Sequence, residues 1–495
     1  MKKWIIVAAL LVLPLVARAQ DTDWTPPHEV ETTTQSNWFP SVAVDPWGAV
    51  HLIWSSGDGK GEDARDLLMY THEQAGEWQP ANDIVLTGTG GWAARSSLAI
   101  DRSGRLHVLV RTRDGVYYAS APGDQAWSAQ SWQNLRRMNG LGQPYYSAIA
   151  IGPDDTIHAV WEELSSPINE QSCVGCSDMW YRQSKDGGSS WSRPVNLSNS
   201  TTGSIKPQIV FGKDDAIVVT WDEGKDPNAT VGEPVGIAYA VSPDAGTTWR
   251  APQRVRLKDD AAQQAAFAID GTGTYILVFR ATANDTILFR TSTDQGRTWS
   301  DLTPLPGLIA RSINDTPWDK YSLVTDSAGD AHLLAVARTN GGQERPALYH
   351  MVWSNTDQQW GEPEVVADEL YPEWPQLVIA EGNQLHATWF TRNPQDLHNS
   401  DDAHYKVWYS SRAISAPSVV VAVQPTATAR PIATPEPPLP TVAPDLRLLE
   451  GQRQAALPTS VRSEVPLLRF VGLTLLVPIG VCVAALLVAV RRRLA

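Results

Sequence analysis

A unit of two short apolar runs separated by a polar turn recurs seven times along the chain, and this internal repeat constrains the fold most strongly. The first copy reads VAVDPWGAVHLIW (residues 42–54), and a later copy reads IAIGPDDTIHAVW (residues 149–161). The fourth position of the seven copies falls at residues 45, 101, 152, 212, 270, 326 and 380. The copies therefore follow one another at intervals of 51 to 60 residues without a break.

Each unit carries the signals of four β-strands. Two runs of β-forming residues flank an Asp-, Gly- or Asn-containing turn, which is typical of a β-hairpin. A third run such as MWYRQS (residues 179–184) and a fourth such as WSRPVNL (residues 191–197) follow in the same unit. Four antiparallel strands per unit, repeated radially, predict an all-β fold: a seven-bladed β-propeller that occupies residues 20–414.

The last unit lacks a fourth strand of its own, because the chain leaves it shortly after HYKVWYSSR (residues 404–412). The segment WTPPHEV (residues 24–30) has the spacing of Trp, Pro and Val found in fourth strands such as WRAPQRV (residues 249–255). We therefore predict that residues 24–30 complete the last blade and hold the two ends of the propeller together.

Both ends of the chain carry targeting signals. Residues 1–19 combine two lysines, an apolar run and an Ala-Arg-Ala sequence, which is typical of a secretory signal peptide. Residues 467–490 are apolar enough for one transmembrane helix, and the basic tail at 491–495 favours the cytoplasmic side. The Pro-, Thr- and Ala-rich residues 415–466 predict a semi-rigid stalk and juxtamembrane linker. The sequence thus predicts a single-pass cell-membrane protein with its propeller outside the cell.

Composition bears on partners and cofactors. The formal net charge of −14 disfavours binding to nucleic acid. Cys482 lies in the predicted membrane segment, and Cys173 and Cys176 are predicted to form a local disulfide outside the cell. A metal site at these two cysteines needs further ligands that the neighbouring sequence does not supply. We expect a monomer without a metal ion or cofactor.

Three turns between third and fourth strands share the pattern S-x-D-x-G-x-x-W. They read SKDGGSSW, SPDAGTTW and STDQGRTW, and they begin at Ser184, Ser242 and Ser292. This pattern, followed by W-x-x-P, resembles the Asp-box, or bacterial neuraminidase repeat, of the sialidase superfamily. The resemblance extends over about residues 24–413 and implies a sialidase-like propeller. It leaves the activity open, because the superfamily includes glycoside hydrolases, receptors and non-enzymatic assembly factors.

We predict that the Asp-box residues are structural. The aspartate accepts backbone N–H groups within its turn, the glycine permits positive φ, and the tryptophan packs between strands. Because strands alternate in direction, these turns lie on the face opposite the loops that join strands 2 and 3. The residues concerned are Asp186, Gly188, Trp191, Asp244, Gly246, Trp249, Asp294, Gly296 and Trp299. One position of the second strand is a histidine in five blades: His51, His107, His158, His332 and His386. Because the histidine repeats around the ring, we predict that it has a packing or hydrogen-bonding role.

Chemically versatile residues collect on the opposite face, just past second strands and just before first strands. Arginine forks bind carboxylates, aromatic faces stack on sugars, and paired carboxylates serve acid–base catalysis. The predicted ligand-binding residues are Arg95, Arg111, Arg280, Arg338, Arg392, Trp38, Trp318 and Trp374, and the candidate catalytic residues are Glu162, Asp222 and Glu223. An ordinary solvated rim is the alternative interpretation.

For true sialidases the resemblance implies three arginines that clamp a carboxylate, a tyrosine–glutamate pair and an acid–base aspartate. Their Arg-Ile-Pro phrase is replaced here by Trp38-Phe39-Pro40, and the seven predicted blades differ from their six. Arg95 lies one residue nearer its strand, and such a shift reverses the direction of a side chain. We therefore favour a surface-exposed propeller that binds an extracellular glycan or protein on the face of the 2–3 loops. The alternative is a sialidase-like exo-glycosidase acting on sialosides or other glycans.

Overall fold

Each sequence repeat forms its own antiparallel sheet, and the seven sheets are the blades of a propeller. The predicted all-β, seven-bladed fold is therefore confirmed. The computed structural model describes residues 21–419 apart from 31, 33–35, 59–64, 85–92, 113–114, 141, 143, 165–176, 201–202, 213–214, 225–233, 259, 313–317, 340–344 and 395–403. The chain divides into a unit of residues 1–426 and a second unit, residues 427–495, which lies outside the described part.

Several predicted features also lie outside the described residues. They are the signal peptide, Cys173, Cys176, the stalk from residue 420 onwards and the apolar segment at 467–490. Within the residues that the structure describes, no helix is long and apolar enough to cross a membrane.

The strands begin with β1 (His28–Glu29), which belongs to the last blade. Blade 1 contains β2 (Ser36–Val44), β3 (Val50–Asp58), β4 (Arg65–Gln74), β5 (Glu77–Trp78) and β6 (Asn82–Asp83). Blade 2 contains β7 (Ala94–Ile100), β8 (Arg105–Arg111), β9 (Val116–Pro122) and β10 (Gln133–Arg137). Blade 3 contains β11 (Ser147–Ile151), β12 (Ile157–Leu164), β13 (Ser177–Ser184) and β14 (Val195–Asn196).

Blades 4 and 5 also have four strands each. They are β15 (Gly203–Phe211), β16 (Ile217–Gly224), β17 (Pro234–Ser242) and β18 (Gln253–Val255), then β19 (Ala262–Ile269), β20 (Tyr275–Ala281), β21 (Thr286–Ser292) and β22 (Thr303–Pro304). Blade 6 contains β23 (Leu308–Ala310), β24 (Ser322–Thr325), β25 (Ala331–Thr339), β26 (Ala347–Ser354), β27 (Gln359–Trp360) and β28 (Glu364–Ala367). Blade 7 contains β29 (Tyr371–Ala380), β30 (Gln384–Arg392) and β31 (Lys406–Ala413) together with β1.

Two blades depart from the predicted four strands. In blade 1 the outer strand is split into β5 and β6, both of which pair with β4. In blade 6 the inner strand is split into β23 and β24, which pair with opposite ends of β25. Between these two strands, Arg311 and the backbone N–H of Trp318 both donate to the carboxylate of Glu373 in blade 7.

The N-terminal segment closes the ring as predicted. In the β1–β31 pair, His28 lies opposite Tyr409 and Glu29 opposite Trp408. The backbone N–H of Thr25 donates to Ser411 O at 2.9 Å, and that of Val30 donates to Val407 O at 2.9 Å. The last blade is thus completed by the chain start, and the first strands of the seven blades contact one another around one central channel.

The Asp-box turns join neighbouring blades, as their structural assignment requires. In the first box, Asp186 Oδ1 accepts the backbone N–H of Ser190 at 2.8 Å and the Ser184 hydroxyl at 2.8 Å. Hydrogen bonds from Ser190 and Ser184 hold the pKa of Asp186 low, at about 2. Asp244 and Asp294 form the same bonds with their own turns. These carboxylates are therefore committed to the turns.

Each Asp-box turn contacts a tyrosine of the preceding blade. The Tyr118 hydroxyl donates to Gly187 O at 3.2 Å, and the Tyr239 hydroxyl donates to Gly296 O at 3.0 Å. The repeated histidines bind tyrosines at this position in four blades, since Nδ1 of His51, His107, His158 and His386 lies 2.7–2.8 Å from the hydroxyl of Tyr70, Tyr118, Tyr181 and Tyr409 respectively. In blade 6, His350 replaces the tyrosine and lies 3.0 Å from His332. The predicted hydrogen-bonding role of the histidines is confirmed.

Two adjacent glycines of the first Asp-box provide a matched test of this contact. Both have positive φ, but a Cβ on Gly188 would lie 2.1 Å from Tyr118 Oη, whereas a Cβ on Gly187 would meet nothing within 4 Å. We expect Gly187→Ala to cost about 1 kcal/mol in unfolding free energy from backbone strain alone. Gly188→Ala should cost about 1–3 kcal/mol more, because the blades must separate locally. Urea unfolding of both variants measures the difference, and equal losses would contradict the tyrosine contact.

Candidate functional site

A β-bulge near the start of the first strand places one residue of most blades at the axis of the propeller. The pairing shifts register in β2, β7, β15, β19 and β29. At each shift one residue has φ between 48° and 60°. These residues occupy the third position before the apolar run of the repeat, and Tyr146 and Lys320 occupy it in blades 3 and 6. We call the set the axial ring: Phe39, Arg95, Tyr146, Lys206, Gln264, Lys320 and Trp374.

Contacts between non-adjacent blades show that axial-ring side chains meet across the channel. The rings of Tyr146 and Trp374 stack with centroids 5.4 Å apart and an interplanar angle of 15°. Lys206 Nζ donates to the backbone oxygen of Asp319 in blade 6 at 3.2 Å. Lys320 Nζ lies 4.6 Å from the ring centre of Trp374. A cavity of about 210 Å³ follows the first strands beside this ring and is bordered by Arg95, Lys206 and Lys320.

Arg95 and Arg111 converge on one aromatic ring at the edge of the channel. The Cζ atom of Arg95 lies 3.9 Å from the centre of Tyr145, and that of Arg111 lies 4.3 Å from it. Arg95 Nη2 also donates to the Tyr145 hydroxyl at 2.7 Å. Burial and the neighbouring charge of Arg95 lower the pKa of Arg111 to about 10. The bulge at Arg95 offsets the one-residue shift noted in the sequence, so this arginine reaches the axis.

Glu162 lies beneath these two arginines and is buried. Its backbone N–H donates to Tyr146 O at 3.1 Å, which ties the end of β12 to the residue just before the first strand of the same blade. Burial raises the pKa of Glu162 well above its ordinary value of 4.5, although the charges of Arg95 and Arg111 act in the opposite direction. Among the described residues, no group forms a hydrogen bond with its Oε2. Burial therefore favours the protonated form of Glu162, and its Oε2 has no hydrogen-bond partner among the described residues.

The other two candidate catalytic carboxylates are engaged by the protein. Asp222 accepts the backbone N–H groups of Gln264 at 2.9 Å and Ala265 at 3.1 Å, and burial raises its pKa. These bonds fix the bulge of the neighbouring blade. Glu223 forms ion pairs with Arg254 at 2.9 Å and Arg256 at 3.0 Å. Both oxygens of each carboxylate already accept hydrogen bonds, which leaves Glu162 as the candidate with a free acceptor.

The predicted arginine clamp is divided among carboxylates of the protein. Arg280 and Arg338 share Asp285, the latter at 3.7 Å. Arg392 Nε donates to Glu373 at 2.7 Å, and Arg311 pairs with Glu373 at 2.5 Å and with Asp319 at 3.1 Å. Arg280, Arg311 and Arg392 are buried. They stabilise the loops around the channel, while Arg95 and Arg111 remain half-exposed.

The three predicted tryptophans lie in one aromatic group beside the channel. Trp374 packs edge-on against Phe39 with ring centroids 5.1 Å apart, in addition to its stack on Tyr146. The Cζ atom of Arg392 lies 4.7 Å from the ring centre of the half-buried Trp318. Trp38 packs against Tyr405 at 5.6 Å, farther from the cations. Trp318 and Tyr145 are half-buried and so offer ring surface at the mouth, whereas Trp374 is buried.

The family model of the BNR repeat-like domain matches residues 108–387, more than half of the chain. The chain belongs to this family. Among solved structures, it is similar to an ulvan lyase bound to -[GlcA(1-4)Rha3S]- (11% identity, TM-score 0.52, 81% of this chain and 100% of that chain). It is also similar to a protein of unknown function from Dyadobacter fermentans (13%, 0.48, 79% and 99%) and to the NanB sialidase of Streptococcus pneumoniae (12%, 0.46, 78% and 70%). These similarities concern the fold. A comparison with curated proteins gives no match.

The sequence prediction for this BNR repeat-like domain omitted two cations of the axial ring. Lys206 and Lys320 were not among the predicted ligand-binding residues, although they align with Arg95 at the same repeat position. The prediction includes arginines and aromatic residues just before the first strands, such as Arg95 and Trp374, but no lysine at that position. A column-by-column comparison of the repeats before each apolar run would have found both lysines.

The raised pKa of Glu162 predicts a pH-dependent stability. The unfolded chain releases this proton near pH 4.5 and the folded chain retains it, so the stabilisation is present below pH 4.5 and is lost as pH rises towards the folded-state pKa. The Glu162→Gln variant has no such titration, so it should not lose stability in this way as pH rises. The unfolding free energy of the variant should exceed that of the wild type by an amount that grows with pH, at most about 1.4 kcal/mol per pH unit. Urea unfolding from pH 4 to 8 measures it. The exposed Glu369→Gln is the control, and parallel curves for all three proteins would refute the burial effect.

Proposed function

We propose that this BNR repeat-like domain binds an acidic glycan at the mouth of its central channel, on the face of the 2–3 loops. Arg95 and Arg111 face the acidic group of the ligand, and the half-buried aromatic rings beside them pack against its sugars. The observation that carries the proposal is the convergence of two guanidinium groups on the single ring of Tyr145, at 3.9 and 4.3 Å.

Electrostatics support an anionic ligand. Two like charges on one ring repel each other, and a carboxylate or sulfate between them relieves that repulsion through bidentate hydrogen bonds. Within the described residues Arg95 forms no ion pair, and its buried Nε has no hydrogen-bond partner. The protein as a whole has a formal net charge of −14, so this cationic mouth differs from the average surface. A local positive potential of this kind concentrates anionic ligands.

Glycan cleavage is the second candidate, and the state of Glu162 favours it. A buried carboxylic acid that keeps its proton is suited to donate that proton to a glycosidic oxygen. Glycoside hydrolysis needs a second carboxylate as nucleophile or base. Asp222, the other predicted carboxylate near the axis, has both oxygens bound to backbone N–H groups. Binding without cleavage therefore remains our first proposal.

We also propose that the propeller is displayed outside the cell by its C-terminal segment, as the sequence predicts. The course of the chain after β31 is compatible with this. Ile414 N donates to Asn383 O at 2.9 Å, and Val419 N donates to Glu381 O at 2.7 Å, both in the turn that joins β29 and β30. The described chain thus ends on the face opposite the 2–3 loops, which carries the turns between strands 1 and 2 and which we call the turn face. A tether that starts there begins on the side away from the mouth.

Removal of one guanidinium at a time tests the binding proposal. We expect Arg95→Gln and Arg111→Gln each to raise the Kd for an acidic probe about 10- to 100-fold, the effect of one charge-assisted hydrogen bond. The probes are 3′-sialyllactose and a glucuronic acid oligosaccharide, with lactose as the neutral comparison, titrated by calorimetry into the full chain. Arg102→Gln, a half-exposed arginine on the turn face, is the matched control. Equal affinity for lactose, or unchanged affinity in both mouth variants, would contradict an acidic ligand.

Turnover assays separate the two candidates. On fluorogenic sialosides and glucuronides, the first proposal predicts no release of fluorophore by the full chain. If release occurs and Glu162 is the proton donor, Glu162→Gln should lower kcat by about 100-fold or more while the Kd of the acidic probe stays unchanged. Release that survives in Glu162→Gln would exclude Glu162 as the acid.

A further inference from the structure

We infer that a small inorganic anion binds inside the central channel between Lys206 and Lys320. Arg95 borders both this cavity and the mouth, but the inference rests on the two lysines and not on the proposed glycan binding. It rests on the way the axial ring distributes its charges and aromatic rings around the channel.

The two lysines are exceptions to the pairing seen elsewhere around the channel. The buried arginines 280, 311 and 392 each form an ion pair with Asp285, Asp319 or Glu373. Neither Lys206 nor Lys320 forms one with any carboxylate of the described residues. Lys206 Nζ donates to a backbone oxygen and Lys320 Nζ lies over the ring of Trp374, while Asp222, Asp319 and Glu373 attract Lys206 only from beyond ion-pair distance. An ammonium group removed from bulk water without an anionic partner is costly, and a bound anion removes that cost.

Nearby carboxylates are already occupied and are therefore poor partners for these lysines. Asp222 is bound by two backbone N–H groups, and Glu373 is bound by two arginines. Asp319 pairs with Arg311 through its side chain and offers only its backbone oxygen to Lys206. Burial, followed by the charge of Lys206, lowers the pKa of Lys320 to about 7, the direction expected for an ammonium group that lacks a counter-ion.

The geometry of the axial ring sets the location and size of the site. Tyr146 and Trp374 stack across the channel, and both border the cavity together with Lys206, Lys320 and Arg95. The cavity beside the ring measures about 210 Å³, and a water molecule in the liquid occupies about 30 Å³. The space therefore suits chloride, sulfate or phosphate with a few waters, and we assign a small inorganic anion as the ligand.

Melting of the full chain in matched salts tests the site. Tm is measured by calorimetry in sodium gluconate, chloride, sulfate and phosphate at equal ionic strength, because gluconate is too large for the cavity. We expect at least one small anion to raise Tm by about 2 °C or more over gluconate, since only the folded state has the site. Chloride and the oxyanions are separate arms, so the assay also identifies which anion fits.

Charge removal at the lysines distinguishes this site from general salt effects, because sulfate and phosphate stabilise most folded proteins. Lys320→Met and Lys206→Met should lose the increment, while the exposed Lys185→Met on the turn face should keep it. In gluconate, Lys320→Met should melt no lower than the wild type, since repulsion with Lys206 is relieved. Wild-type 35Cl NMR line broadening, reversed by phosphate, provides a readout that needs no variant. Equal Tm in all salts, an increment kept by both lysine variants, or a chloride increment without 35Cl line broadening would overturn the proposal.

Discussion

Closure of the ring is the constraint on which the rest of the structure depends. A blade buries its apolar faces only when it has a neighbour on each side, and blades 1 and 7 become neighbours only if the chain ends are joined. The pairing of β1 with β31 joins them. The Asp-boxes and their tyrosines then repeat one contact between successive blades, which explains why Gly188 and Gly296 approach the tyrosine hydroxyls of the preceding blade so closely.

The same closure brings one residue of every blade to a common axis. Residues more than 50 positions apart in sequence, such as Tyr146, Lys206 and Trp374, therefore share one small volume. The bulges in five of the seven first strands point the residues there, Lys206 and Trp374 among them, inward at the expense of regular pairing. Strained backbone of this kind clusters at functional sites, and here it concentrates cations and aromatic rings in the channel.

Charges near the axis fall into two groups with different roles. Arg280, Arg311 and Arg392 are buried and neutralised by carboxylates of the protein, so they stabilise the loops of the mouth. Arg95, Lys206 and Lys320 border the cavity and form no ion pair within the described residues. All six are basic residues, and the sequence alone does not distinguish the paired group from the unpaired one. Their partners are set by which loop residues fold back over the ring, and the sequence pattern does not specify that.

The sequence by itself determined the blade number, the four-strand pattern of most blades and the closing segment at residues 24–30. Each of these depends on local periodicity and on turn residues that repeat in every blade. Only the tertiary structure decided that Asp222 and Glu223 are occupied while Glu162 keeps an uncommitted oxygen. It also decided that Lys206 and Lys320 face one cavity with Arg95. Those outcomes depend on burial and on contacts between distant blades, which exist only once the ring has closed.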